Sequence, residues 1–366
     1  MKVLALTLGP EESAATRFRV LQLAPALARA GIDLDVRPFL DRAAFTGLYD
    51  RARWKRTTAR LVLAAARRAV DVARAQRCDA VLVQREAMLA GPPVVEALAS
   101  LRRPLVLDLD DPTWVAYDSP TFGRLARVLK APGKALWLID HARAVTCGST
   151  YVRDFVAGRG RPATLVATVA DPDLFHPIPK PQAETRADAG AGGRLVVGWI
   201  GTHSTWPYLA AILPSIAAVG RRHPITLRVV GAGTEVPPVP GVEVDQRDWD
   251  LAREPSDFAT LDVGLYPITE DAWSVGKSGF KSVQYLACGV PFVVSPVGAA
   301  ATVGLPGETH LVATSPGEWV DALDRLCGDA GLRRRLGEAG RRHALEHHTV
   351  DRAADALAAV LRGVTG

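Results

Sequence analysis

Cysteine is scarce in this sequence, as are the other features that mark several common protein classes. Cys78, Cys147, Cys288 and Cys327 lie far apart, with no CxxC pair and no paired histidine. This spacing argues against a zinc site or a disulfide framework and predicts four buried free thiols. No apolar run approaches the roughly 20 residues that a membrane-spanning helix needs. Residues 1–13 pass from an apolar stretch into acids without a small-residue cleavage site, which predicts a first strand of a cytoplasmic protein.

Neither positive nor negative charge is in strong excess. The formal net charge is +5 over 366 residues, which is too mild to indicate a nucleic-acid partner. Residues 50–77 are the exception, with nine Arg or Lys against two Asp. Together with Trp54 and an apolar stripe of Leu61, Ala65 and Val72, this pattern is typical of a helix lying on an anionic membrane surface. An ordinary solvated helix face is the alternative, and both interpretations stay open.

Short β-branched runs alternate with longer stretches of helical period, which is typical of βα units in a parallel sheet. The 366 residues are long enough for two domains, so the α/β pattern predicts two doubly wound, Rossmann-like domains facing across a cleft. Six strands are predicted in each half, at 2–8, 33–38, 79–84, 104–109, 143–147, 164–168, 194–199, 225–230, 241–244, 262–266, 291–295 and 309–313.

Proline followed by Gly, Ala and Asp replaces any periodicity between the two halves. We therefore expect an N-terminal domain at 1–175, a linker at 176–193 and a C-terminal domain at 194–348. Residues 349–366 are expected to form a helix that packs back on the N-terminal domain. In doubly wound domains ligands bind beyond the carboxyl ends of the strands, so function is sought in the loops there. Neither first loop carries GxGxxG with an acid on the following strand, which argues against a nicotinamide dehydrogenase.

The segment GKSGFKSVQYLACGVPFVVSPVG, 276–298, begins with two lysines at the predicted start of a helix, 278–288. A helix N-terminus offers unpaired N–H groups and partial positive charge, and Gly276 and Gly279 allow a ligand to approach the backbone. Lys277 and Lys281 would repel each other there without an anion, and a diphosphate fits. The alternative is a pair of solvated surface lysines.

Four stretches resemble one known family in order and spacing. They are VADPDLFHP (169–177), VVGWIGTHST (196–205), SVQYLACGVPFVVSPVG (282–298) and the helical run 332–357. They are similar to the GT4-type (group 1) retaining glycosyltransferases, which have the GT-B fold. The resemblance implies metal-independent transfer of a hexose-type sugar, with retention, from a nucleoside diphosphate sugar to a hydroxyl acceptor. It implies no cofactor besides this donor.

The chain departs from the family at both of its glutamates. Counting back from Gly289 places Gln284 at the position of the acid that holds the nucleotide ribose. Gly276 stands at the position of the acid that touches the transferred sugar. Gln284 can still accept from ribose hydroxyls through its amide oxygen. Glu270 or Asp271, in the preceding loop, are candidates to replace the other acid.

The family's basic residues in the first loops of the second domain are also absent, and Lys277 and Lys281 are expected to supply that charge. The loop GTHS after the strand at 194–199 is small and hydroxyl-rich, which suits phosphate approach. The predicted donor-binding residues are Gly201, Thr202, His203, Ser204, Glu270, Asp271, Gly276, Ser278, Gly279 and Gln284.

In the first domain, Asp110 stands where the family often has a histidine facing the sugar, so it joins Lys277 and Lys281 as a catalytic candidate. A DxD metal site at Asp108 and Asp110 is not expected, because no third ligand is evident nearby. Candidate acceptor-side residues follow strands one, three and four. They are Arg17, Arg19, Gln84, Arg85 and Asp111. Arg17 and Arg19 have an alternative interpretation as surface residues at a helix start.

Two other functions remain alternatives to a transferase. One is a non-catalytic sugar-nucleotide-binding subunit, which the missing glutamates favour, and the other is an epimerase or hydrolase of the same fold. The acceptor depends on the basic segment. If 50–77 contacts a membrane, the protein is peripheral to its inner surface and a lipid-linked acceptor is expected; otherwise a soluble acceptor is expected.

Overall fold

The computed structural model describes residues 1–48, 54–115, 132–179 and 193–366, apart from the side chains of Trp54 and Pro132. The described chain forms two compact units. The first consists of Met1–Val169, Gly276–Ser278 and Val350–Gly366. The second consists of Ala170–Val275 and Gly279–Thr349. Of the predicted linker, 180–192 lies outside the described residues.

The first unit is built on a parallel sheet in the order β2-β1-β3-β4-β5-β6. Its strands are β1 Lys2–Thr7, β2 Asp33–Pro38, β3 Ala80–Gln84, β4 Leu105–Leu109, β5 Ala144–Cys147 and β6 Ala163–Leu165. Every residue of β3, β4 and β5 is buried, because helices cover both faces of the sheet. These strands are accordingly continuous apolar runs, without alternation.

Most helices of the first unit connect successive strands of its sheet. The helices of this unit are α1 Ala14–Thr16, continued by a π-helical turn at Arg17–Leu21, α2 Ala24–Arg29, α3 Arg42–Gly47, α4 Trp54–Ala75, α5 Val94–Ala99, α6 Pro132–His141, α7 Thr150–Gly158 and α13 Val350–Thr365. One face of the sheet packs on α13 through Leu357 and Leu361, together with Leu27 of α2. The other face packs on Leu138 of α6 and Val152 of α7.

The second unit repeats this architecture, with a parallel sheet in the order β12-β11-β10-β7-β8-β9. Its strands are β7 Leu195–Ile200, β8 Ile225–Val230, β9 Glu243–Arg247, β10 Val263–Tyr266, β11 Phe292–Val294 and β12 Leu311–Val312. Its helices are α8 Trp206–Gly220, α9 Glu254–Ala259, α10 Phe280–Ala287, α11 Pro316–Gly328 and α12 Ala330–His347. Short 3₁₀ turns occupy Ser274–Gly276 and Gly298–Ala301.

All twelve predicted strands are confirmed, with ends that differ by a few residues. The helix predicted at 278–288 begins later, at Phe280, because Gly279 adopts the left-handed conformation with φ +69°. All four cysteines are buried and unbridged. In the described part of the chain, no helix is both long enough and apolar enough to cross a membrane.

Candidate functional site

The carboxyl edge of the first sheet holds a buried ion pair. The Arg19 guanidinium donates to both carboxylate oxygens of Asp108, at the end of β4, and also to the carbonyl of Val166. Thr146, on β5, donates its hydroxyl to Asp108 at 2.6 Å. The Arg19 and Asp108 side chains are only 1% and 5% exposed. Arg19 is therefore not the surface residue of the alternative interpretation: it ties the first helical turns to the sheet.

A second ionic cluster surrounds Arg85, which follows β3. Its guanidinium contacts Asp110 through two nitrogens, at 2.5 and 2.7 Å, and also contacts Asp111. Gln84 donates to Asp110 at 3.1 Å. Burial alone would raise the pKa of Asp110, but the charge and hydrogen bond of Arg85 and the charge of Arg19 hold that pKa below its ordinary value. Asp110 is thus an ionised partner of Arg85.

Arg85 also has an unusual backbone. Its φ is +60°, the one positive value outside glycine among the described residues. A left-handed non-glycine residue costs on the order of 1–3 kcal/mol and is concentrated at functional sites. Arg17, in contrast, is half-buried, donates to the carbonyl of Glu11 at 2.9 Å and lies over the ring of Phe18. Of the predicted acceptor-side residues, Gln84, Arg85 and Asp111 are thus brought together around Asp110.

The segment Gly276–Ser278 packs on this same edge of the first sheet. The hydroxyl of Ser149 donates to the carbonyl of Gly276 at 2.9 Å. A Cβ atom at Gly276 would come within 2.6 Å of Pro112, so only glycine fits there without a shift. Since Gly148 is packed against both Asp110 and Ser278, Lys277 lies in a segment next to the Arg85 cluster.

In the second unit, the predicted donor loop follows β7 and is closely packed. The hydroxyls of Thr202 and Ser204 lie 2.8 Å apart, and the Thr202 amide donates to Thr205. The loop after β8 supports it, because a Cβ at Gly231 would lie 2.4 Å from the carbonyl oxygen of Gly201. A Cβ at Gly233 would similarly meet His203 at 2.7 Å. The carboxyl ends of β7 and β8 thus form one surface of glycines and hydroxyls.

The amino end of α10 lies beyond β10 in the same unit. Gly279 caps it and packs against the backbone of Ala299, since a Cβ there would approach that residue at 2.8 Å. Lys281 is half-buried, and its ammonium lies 5.5 Å from the centre of the Tyr266 ring at the end of β10. Its stem is therefore packed, and its charge lies at the positive end of α10.

Gln284 faces a carboxylate that sequence reasoning missed. Its side chain is 1% exposed, and its amide nitrogen donates to Glu254 at 3.2 Å. Glu254 begins α9 and is itself buried, with 6% exposure. An acid in a helix start usually faces solvent, so only the fold shows that Glu254 stands beside the family's ribose position.

Glu270 and Asp271, the two candidates to replace the first family acid, are both exposed. One carboxylate oxygen of Asp271 accepts from the amides of Trp273 and Ser274, at 2.9 and 2.7 Å. Asp271 thus shapes the loop that leads to Gly276. The structure places neither acid at Gly276, and their contact with a sugar stays a prediction.

Two further features concern metals and membranes. Within the residues that the structure describes, no group of three or more His, Cys, Asp or Glu side chains is arranged to hold a metal ion. Of the basic segment 50–77, residues 50–53 and the Trp54 side chain lie outside the described part. The stripe predicted to face a membrane instead faces inward, since Leu61 and Ala65 pack on the cluster around Phe39 and Val72 packs on the sheet.

Part of the sequence, mostly in the second unit, matches a known protein family. Residues 258–359 match the profile of a family described as glycosyl transferase-like. This region contains β10, α10 and the helices that follow them. A comparison with curated protein sequences finds no significant match.

Solved structures match along the whole chain. Sucrose-phosphate synthase from Thermosynechococcus elongatus has a TM-score of 0.69 at 15% identity, covering 99% of each chain. Anabaena HepE in complex with UDP-glucose gives 0.68 at 19% identity, over 99% of this chain and 100% of that one. The UDP-forming α,α-trehalose-phosphate synthase from Burkholderia vietnamiensis gives 0.60 at 13% identity, with full coverage of both.

At identities this low, the structural similarity establishes the fold alone. That fold is GT-B, as predicted. The match over residues 258–359 adds that this part of the sequence is similar to glycosyl transferase-like proteins. The matched residues include Lys281 and lie mostly in the second unit.

Proposed function

We propose that the protein transfers a sugar from a nucleoside diphosphate sugar to a hydroxyl acceptor with retention of configuration. The observation that carries this proposal is the family match to residues 258–359, in a unit whose strands end in a surface suited to phosphate. HepE, with its bound UDP-glucose, supports a uridine nucleotide as the first donor to test.

The diphosphate is proposed to bind the amino end of α10 and the loop Gly201–Ser204. Charge develops on the leaving diphosphate as the sugar takes on oxocarbenium character, so fixed positive potential there stabilises the transition state. Lys277 and Lys281 supply it, with the amides of α10. No metal enters this proposal.

The ribose is proposed to bind beside Gln284 and Glu254. A neutral amide replaces the family glutamate at residue 284, but the Glu254 carboxylate lies within hydrogen-bond distance of that amide. A carboxyl group is therefore still present beside residue 284, and its oxygens can accept hydrogen bonds from the ribose hydroxyls. The amide of Gln284 orients it.

The acceptor is proposed to bind the carboxyl edge of the first sheet, near the Arg85 cluster. Asp110 is already ionised and paired with Arg85, so it is suited to positioning an acceptor or sugar hydroxyl as a hydrogen-bond acceptor. The strained φ of Arg85 supports a functional role for this cluster.

Thermal denaturation with UDP-, GDP- and dTDP-glucose tests the proposal. A donor at 100 times its dissociation constant should stabilise the protein by about 2.7 kcal/mol. The stabilising donor is then incubated with hydroxyl acceptors, and the anomeric configuration of the product is read by NMR. If none of these sugar nucleotides stabilises the protein, the proposal is wrong.

A non-catalytic sugar-nucleotide-binding subunit is the second candidate. It is favoured by the glycine at position 276 and the amide at 284, where the family has acids. Donor binding without turnover across the acceptor panel would support it. Donor consumption without any acceptor would instead indicate a hydrolase or epimerase.

A further inference from the structure

The outer face of α4 carries an exposed apolar stripe. Val62, Leu63 and Val70 are 67%, 52% and 54% exposed, although such side chains are usually buried. Exposed alanines occupy the same face, at positions 59, 66, 69 and 73. With 3.6 residues per turn, these seven positions cover about one third of the helix circumference. The stripe is distinct from the buried face that holds Leu61 and Ala65.

A row of arginines borders this stripe. Arg56, Arg60, Arg67 and Arg74 follow one another at spacings of four, seven and seven residues, which places them along one side of the helix. All four are exposed. The one acidic residue in α4, Asp71, is buried and paired with Arg68. The exposed face of α4 therefore presents cations and apolar groups without a carboxylate of its own.

Helix α5 extends the apolar stripe on the side away from the arginines. Val94 and Leu98, one helical turn apart on α5, and Leu101, just beyond its end, are 54%, 43% and 72% exposed. Val72, on the border of the stripe opposite the arginine row, packs in the same cluster as Val95 of α5. The exposed residues of the two elements thus form one surface, which we call the α4–α5 surface: the stripe of α4, Val94, Leu98, Leu101 and the arginine row.

We propose that the α4–α5 surface binds the interface of a membrane that contains anionic phospholipids. An apolar face bordered by basic side chains is the arrangement with which amphipathic helices lie at the headgroup level. Arginines on its border complement lipid phosphates. A two-fold contact between copies of this chain would bring rows of like charge together, and the stripe lacks the aromatic anchors that dominate protein interfaces.

The four arginines are not equally suited to a mutational test of this proposal. Arg60 contacts Asp41 at 2.6 Å, and Arg74 lies 3.5 Å from Asp35, so part of their charge is already compensated. Arg56 and Arg67 are the more informative pair to change. Since each basic side chain near an anionic membrane strengthens binding about fivefold, losing both should weaken it about 30-fold.

The test is co-sedimentation of the full chain with vesicles. One preparation is phosphatidylcholine alone and the other is phosphatidylcholine mixed with phosphatidylglycerol, each at low and at high salt. The variants are the double change Arg56→Gln with Arg67→Gln, and the single change Leu63→Gln. We expect wild type to bind only the mixed vesicles, more weakly at high salt, and both variants to bind them much less.

Matched controls come from α12 in the second unit. Arg334→Gln with Arg335→Gln removes the same net charge from exposed positions. Leu345→Gln changes a leucine that is 45% exposed, close to the 52% of Leu63. These controls should bind the mixed vesicles as wild type does. Circular dichroism verifies that every variant is folded.

Three results would overturn the proposal. One is wild type that does not bind the mixed vesicles, and another is equal loss in the α4 and α12 variants, which would reduce the effect to net charge. The third is sedimentation equilibrium in which Leu63→Gln converts a dimer to a monomer, which would assign the surface to a second copy of the chain. Vesicle binding needs no sugar nucleotide, so it is independent of the proposed function.

Discussion

The carboxyl edges of the two sheets are filled in opposite ways. In the first unit, Arg19 pairs with Asp108, and Arg85 pairs with both Asp110 and Asp111. In the second, β7 and β8 end in glycines and hydroxyls, with His203 among them. Doubly wound sheets bind ligands at this edge, so the same architecture offers two different chemistries. The first edge holds paired charges, whereas the second presents glycine backbone and hydroxyl groups, with Lys281 beside Tyr266 at the end of β10.

The largest effect should come from breaking the first edge. Asp108→Asn leaves the Arg19 guanidinium buried without its counter-ion, which typically costs about 3–5 kcal/mol of unfolding free energy. Asp351→Asn is the matched control, because its partner Arg29 is 67% exposed and such surface pairs contribute about 0–1 kcal/mol. Urea denaturation followed by circular dichroism compares the two. Equal losses would mean that the buried pair is not what stabilises this edge.

The second largest effect should come from removing charge at α10. Lys281→Ala is expected to lower kcat by about 10²–10³, the usual effect of losing a preorganised transition-state donor. Lys277→Ala should behave similarly while folding stays intact. The control is Arg342→Ala, which removes a cation from α12. A wild-type rate in both lysine variants would contradict their assignment to the leaving diphosphate.

The strands were predictable from the sequence, but the partners at their ends were not. Buried parallel strands such as β1 and β4 are uninterrupted apolar runs, which local pattern detects, and the donor loop after β7 followed from them. Arg19 and Asp108, in contrast, are separated by 89 residues, and Glu254 and Gln284 by 30. No local signal joins such pairs, since they meet only through sheet order and helix packing.

The same limit explains why the apolar stripe predicted to face outward in the basic segment 50–77 instead faces inward. Its amphipathic character was visible in the sequence, but choosing which apolar side faces outward needs the position of the sheet. Leu61 and Val62 are neighbours in sequence, and only the fold shows that Val62 is the exposed one. The association of Gly276–Ser278 with the first unit was also invisible, because these residues lie in a loop between two elements of the second.

A third variant tests whether the loops after β7 and β8 act as one surface. Gly231→Ala places a methyl 2.4 Å from the Gly201 carbonyl at φ +79°. Gly307→Ala is the control: its φ is +83° but nothing lies within 4 Å of the added methyl. Both should lose about 1–3 kcal/mol through backbone strain. Only Gly231→Ala should lose more and also reduce stabilisation by the donor in thermal denaturation; equal donor responses would separate the loop from the donor site.

The smallest effect is expected from a change to Glu254, the acid of the second unit that we compare with Asp110 of the first. Asp110 is paired with the charged Arg85, whereas Glu254 accepts a hydrogen bond from the neutral amide of Gln284. Glu254→Gln preserves the shape but replaces one carboxyl oxygen with an amide nitrogen, so one hydrogen-bond acceptor for the ribose is lost, which is worth about 1 kcal/mol, or roughly fivefold in donor affinity. Calorimetric titration with the donor measures it, and Glu338→Gln, on the exposed face of α12, is the control. Removing the ribose hydroxyls from the nucleotide should abolish the difference between wild type and Glu254→Gln. A difference that persists with the deoxynucleotide would place Glu254 at another part of the donor.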